Sequence, residues 1–133
     1  MMLLSFNHGA KGVMSWTFPT SDTLAQAHSQ MAKIATVPPV STFLLGAQPT
    51  EVEVKGQGDV DVAYWKVGKR IMVGFVRPEY DAGNGKVTID LPERAGGIAS
   101  QPWGSLPWTL EGQTLTVRGL VELDTSLVIL DVV

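Results

Sequence analysis

The chain has 133 residues, 44% of them hydrophobic, which suits one ordinary globular domain with its own core. A formal charge of −3 and a pI near 5.2 argue against nucleic acid as the main partner, because phosphate binding needs a basic stripe. The absence of cysteine excludes disulfides, thiol catalysis and cysteine-ligated metals.

Residues 1 to about 47 carry the only helical signal. "GVMSWTF", bounded by Gly12 and Pro19, is a short and mostly apolar run that fits a buried strand over residues 12–18. In "TSDTLAQAHSQMAKIATVPP", Ser21 or Asp22 can cap a helix. Leu24, Ala27, Met31 and Ile34 recur at three- and four-residue spacing to give it one apolar face. Pro38 and Pro39 stop it, since proline donates no amide hydrogen and restricts the residue before it. A strand, a helix and a proline stop make a βα unit.

From about residue 48 the period changes to two. "EVEVK" alternates Glu51 and Glu53 with Val52 and Val54, as one strand would. "VDVAYWKV" puts Val60, Val62 and Tyr64 on one face and Asp61, Ala63 and Trp65 on the other. "RIMVGFV" follows across Val67-Gly68-Lys69, a link suited to a hairpin. Asn84-Gly85 signals a turn, and Val87, Ile89 and Leu91 then face one way. "WTLEGQTLTVRGL" is a second hairpin that turns near Glu111-Gly112-Gln113. "SLVILDVV" is apolar on both faces, as a central strand covered on both sides must be. About six strands with Gly and Pro between them predict a mainly β fold, an antiparallel β-sandwich over residues 48–133.

Chemistry-bearing groups are sparse. Asp59 and Asp61 share a strand face, but a solvated strand start is the ordinary reading, as it is for Glu51 and Glu53. "DAGNG" lacks the spacing and closing glutamate of a calcium loop, so it reads as a turn. His8 and His28 stand far apart with no carboxylate at ligand spacing, so no metal site is expected. No serine sits in a nucleophile elbow, and no glycine-rich run precedes a Lys and Ser or Thr. No catalytic residue and no cofactor is predicted. Lys66, Lys69 and Arg70, the one close basic trio, belong to a hairpin end. The tryptophans are more informative, because flat aromatic faces stack on the apolar faces of sugar rings. Trp103, in the Pro- and Gly-rich "QPWGSLPW", is the candidate expected at the surface. Trp65 and Trp108 read first as plugs of the sandwich core, and Trp108 stays in the candidate set beside Trp16 and Trp103.

"LSFNHGAKGVMSWTFP" resembles the end of the seventh helix and the eighth strand of (β/α)8-barrel glycoside hydrolases. The resemblance implies that Trp16 is the sugar-stacking floor of a subsite and that Ser21 to Val37 form the eighth helix, making residues 1–47 a barrel-end segment. "DVAYWKVGKRIMVGFVRP", "GKVTIDLP" and "WTLEGQTLTVRGL" are similar to strands of the C-terminal sandwich that often follows such barrels. The chain departs from these enzymes in one decisive respect: their two catalytic carboxylates usually stand on earlier barrel strands, which this sequence lacks.

The expectation is therefore a non-catalytic, lectin-like module that binds a glycan or glycoprotein through Trp16, Trp103 and Trp108. A ligand-free accessory domain, or a piece of a processed hydrolase active only with its missing barrel, are the alternatives. A barrel strand without its neighbours has unpaired edges, so self-association through residues 12–18 is also expected. No apolar run is long enough to cross a bilayer, and "MMLLSF" is too short for a signal peptide, although the family resembled is commonly secreted.

Overall fold

Strand alternation sorts the apolar residues of the chain into two cores, one on each side of a single sheet. The computed structural model describes residues 2–11, 21–52, 54–56, 60–77, 86–118 and 124–133. The strand expected over residues 12–18, with Trp16, and the turn expected at Asn84-Gly85 lie outside them. The described part of the chain is mainly β, with two antiparallel sheets and three helices.

The helices come first: α1 (Met2–Asn7), α2 (Asp22–Ala35) and α3 (Val40–Gly46). Helix α2 matches the expected helix within two residues at its C-terminal end, and the Ser21 carbonyl accepts the Ala25 amide, which puts Ser21 at the capping position. Of its expected apolar face, Met31 is buried, Ile34 is half-buried and Ala27 is exposed. The prolines do follow the end of α2, but α3 was not expected. Its seven residues begin directly after Pro39, with Val40, Phe43 and Leu44 turned inward. Lys11 donates to the carbonyls of Leu44 (2.8 Å) and Ala47 (2.6 Å), supplying a cation where the helix leaves its last carbonyls unpaired.

Nine strands follow among the described residues: β1 (Thr50–Glu51), β2 (Val54–Gly56), β3 (Asp61–Val67), β4 (Arg70–Val76), β5 (Lys86–Asp90), β6 (Ala95–Trp103), β7 (Thr109–Glu111), β8 (Thr114–Arg118) and β9 (Thr125–Val132). They form a five-stranded sheet, β1-β3-β4-β9-β6, and a four-stranded sheet, β2-β5-β8-β7. The two expected hairpins are present, β3–β4 and β7–β8, turning at Gly68 (φ +60°) and Gly112 (φ +65°). Two expectations need correction. "EVEVK" is not one strand: Thr50–Glu51 pairs with β3 in one sheet and Val54–Gly56 pairs with β5 in the other, so the chain changes sheets between them. Residues 95–103 were not expected to be a strand at all, yet β6 forms the edge of the five-stranded sheet.

Alternate residues then fill opposite cores. Val62, Ile71, Val73, Phe75, Val128 and Leu130 of the first sheet meet Val87, Ile89, Leu115 and Val117 of the second, which makes a sandwich core. Ala63, Trp65, Met72, Val76, Leu127 and Ile129 point the other way and meet Leu3, Phe6, Met31, Phe43 and Leu44 of the helices. The molecule is thus layered as helices, five strands and four strands, with β4 and β9 covered on both faces. Gly74 lies within this doubly covered stretch. Asn7, at the end of α1, donates to the Gly74 carbonyl (3.0 Å), and a Cβ on Gly74 would collide with the Asn7 amide.

Candidate functional site

The register of β9 positions two tryptophans at once. Thr125 and Ser126 are adjacent on a strand, so their side chains leave on opposite faces of the sheet. The Trp103 indole Nε1–H donates to Thr125 Oγ1 (2.8 Å), and the Trp108 Nε1–H donates to Ser126 Oγ (3.0 Å). Trp103 therefore packs toward the helix-side core and Trp108 toward the sandwich core, where its ring meets Phe75 edge-on at 5.4 Å and 79°. Both indoles are half-buried.

Between them runs the segment 104–108. Gly104 has φ +84°, and a Cβ there would collide with the Thr125 carbonyl oxygen, so this chain-to-chain approach requires glycine. The Trp108 amide donates back to the Leu106 carbonyl (2.9 Å), closing a tight turn over Pro107. The result is a cleft of about 400 Å³ beside Trp103, lined by Gln30 of α2, Gly104, Ser105, Leu106, Asp124 and Thr125. Its size falls in the range of small-molecule sites, and its wall combines one indole with amide, hydroxyl and carboxylate residues. No lysine or arginine is among the described lining residues. Asp124 also accepts the Arg77 amide at its backbone oxygen (2.8 Å), which ties the base of the cleft to the end of β4.

Of the residues singled out in the sequence, the structure puts Trp103 in this cleft. Trp108 stands across the sheet and is not among its described lining residues, Trp65 is 1% exposed within the helix-side core, and Trp16 lies outside the described residues. Gln30, Ser105, Asp124 and Thr125 carried no signal in the sequence, because they meet only when β6, β9 and α2 are brought together. Two further clefts, one of about 430 Å³ by Arg94 and Leu110 and one of about 210 Å³ among the helices, have no tryptophan among their described lining residues.

A polar cluster lies away from the cleft. His8 Nε2 is 2.6 Å from Asp61 Oδ2 and its Nδ1 is 3.3 Å from Glu51 Oε1, while Asn7 Nδ2 donates to Asp61 Oδ1 at 2.8 Å. Asp61 is thus engaged by α1 and does not stand in solvent as a loose strand start. Among the described residues no group of three or more His, Asp or Glu side chains is arranged to hold a metal ion, and no helix is long and apolar enough to cross a membrane. No family model matches the sequence, and no curated protein matches it significantly.

Proposed function

We propose that this chain is a non-catalytic carbohydrate- or glycoprotein-binding module, a β-sandwich related to the C-terminal region of barrel glycoside hydrolases, with no catalytic pair of its own. The observation that carries the reading is the cleft at Trp103. There a half-buried aromatic ring whose N–H is satisfied internally lines the cleft beside Gln30, Ser105 and Thr125. A pyranose ring needs this combination: an apolar platform for its C–H face and hydrogen-bonding groups around its hydroxyls. Trp108 and Trp16 keep secondary places in the reading. Trp108 would support the platform from across the sheet, Trp16 would keep the sugar-stacking role that the barrel resemblance implies, and copies of the chain would associate through residues 12–18.

A glycan-array screen of the purified chain, with its mass in solution recorded alongside, tests the proposal. Selective binding that is lost in Trp103→Ala and kept in Trp65→Phe supports it; a blank array on folded protein overturns it. A second reading, a ligand-free accessory domain, is favoured by one specific observation. Both indole N–H groups are already bonded to β9 hydroxyls, as expected of tryptophans that plug the ends of two cores. Under that reading Trp103→Ala changes stability alone.

A further inference from the structure

We infer that Gln101 is a positioning residue for the Trp103 cleft, holding the 104–106 loop in its binding shape before a ligand arrives; the inference rests on the carbohydrate reading above. Gln101 sits in β6, where the register against β9 breaks between Ser100 and Trp103. Pro102, which has no amide hydrogen to donate, stands in this irregular stretch. There the side-chain amide of Gln101 reaches the 104–106 loop. In the orientation that the surrounding donors and acceptors assign to the amide, its Oε1 accepts from the Leu106 N–H (3.1 Å) and from Ser126 Oγ (3.0 Å), and its Nε2 donates to the Leu106 carbonyl (3.3 Å). The opposite orientation would set the amide oxygen against the Leu106 carbonyl, two acceptors face to face.

The rest of the network agrees with this orientation. Ser126 is fully buried and has one hydroxyl hydrogen, which goes to Gln101, while its oxygen accepts the Trp108 indole N–H at 3.0 Å. Gln101 therefore engages both backbone groups of Leu106, as a neighbouring strand would. On the other side of the loop, Gly104 is pressed against Thr125 with no room for a side chain. Gripped at Leu106 and wedged at Gly104, the loop presents Ser105 and Leu106 beside Trp103 without further ordering, and a preformed loop saves the ligand the entropy of fixing it.

The test combines amide exchange with titration in the full chain. Gln101→Met keeps the length of the side chain and removes its hydrogen bonds. It is expected to speed exchange of the Leu106 amide at least about tenfold while amides at the centres of β4 and β9 stay protected. Methyl glycosides of glucose, mannose and galactose, followed by the Trp103 indole N–H resonance, are expected to bind this variant about three- to tenfold more weakly than the parent chain. Gln101→Glu retains the acceptors for Leu106 and Ser126 and loses the donor, so it is expected to fall between the two. It decides the matter if Gln101→Met loses its folded core. Unchanged Leu106 exchange in both variants overturns the inference, as does faster exchange with unchanged affinity. If the parent chain binds none of the glycosides and gives a blank glycan array while Leu106 exchange responds as expected, the carbohydrate reading fails and the grip of Gln101 on the loop stands.

Discussion

At the scale of single residues, one close constraint falls on a glycine in the middle of a strand. Asn7 donates to the Gly74 carbonyl from 67 positions away, its side chain fills the space where a Cβ would stand, and the Trp65 ring edge closes the other side at 3.0 Å from that position. Gly74→Ala must push the Asn7 amide aside and loosen α1 from the sheet, so it is expected to destabilise the chain by about 1–3 kcal/mol in urea denaturation. Asn7→Ala in the same background should remove much of that penalty, because the two residues compete for one space. A fully additive double mutant would show that the two do not interact. The sequence contains Gly74 as a mid-strand glycine, which only signals that some backbone or side chain comes close; its partner is invisible until the helix docks. The tryptophans divide in the same manner. Trp108→Phe keeps a ring against Phe75 but leaves Ser126 without its indole donor. It is expected to lower stability by about 1 kcal/mol in urea denaturation.

At the scale of elements, legibility followed how regular each element's environment is. β3 and β5 could be read with their faces, because alternation leaves a period-two pattern, while β4, β8 and β9 could be read only as strands. β4 and β9, covered on both sides, show continuous apolar runs that give no face. β6 could not be read at all. "AGGIASQPW" carries two glycines and a proline, and the strand bulges three times along β9, so its side chains follow no fixed period. Its irregularity is also what creates the cleft, so the site was hidden for the same reason as the strand. Only Trp103 stood out, through its composition and not through its geometry. The split of "EVEVK" between sheets was hidden because Val52 and Val54 face apolar surroundings in either arrangement. Helix α3 is short and follows two prolines, so propensity alone has little to show. Helix α2 offers an element-scale prediction, since Met31 is its one fully buried side chain among those described. Met31→Ala is expected to cost about 2–5 kcal/mol if α2 stays docked, or less if the helix swings free. Amide exchange separates the two outcomes. Freed α2 amides with a protected sandwich would mean that Gln30 has left the cleft, and glycan affinity should fall with it.

At the scale of the whole molecule, the five-stranded sheet is a wall shared by two cores, and this ties residues 1–47 to the fate of the rest. Ala63, Trp65, Met72, Val76, Leu127 and Ile129 face the helices and share one buried cluster with Phe6, Met31 and Phe43. Neither side can be removed without exposing a continuous apolar face, which monomeric proteins rarely leave in water. The intact chain should therefore unfold in one step. Far-ultraviolet circular dichroism, weighted to the helices, and tryptophan fluorescence, to which Trp65 and Trp108 contribute from different cores, are expected to give coincident transitions in urea. A fragment of residues 48–133 should retain the sandwich core but present the bare outer face of β3, β4 and β9. Light scattering is then expected to find it self-associated at concentrations where the whole chain is dispersed. Separate transitions in the intact chain, or a dispersed and cooperatively folding fragment, would mean that the helices are an appendage to an independent sandwich. The cleft stands on this same junction, with Gln30 from the helices on one wall and Trp103 and Thr125 from the sheet on the other. A chain that unfolds as one body holds those two walls at a fixed distance, and a ligand that bridges them should raise the midpoint of the single transition by mass action, without splitting it.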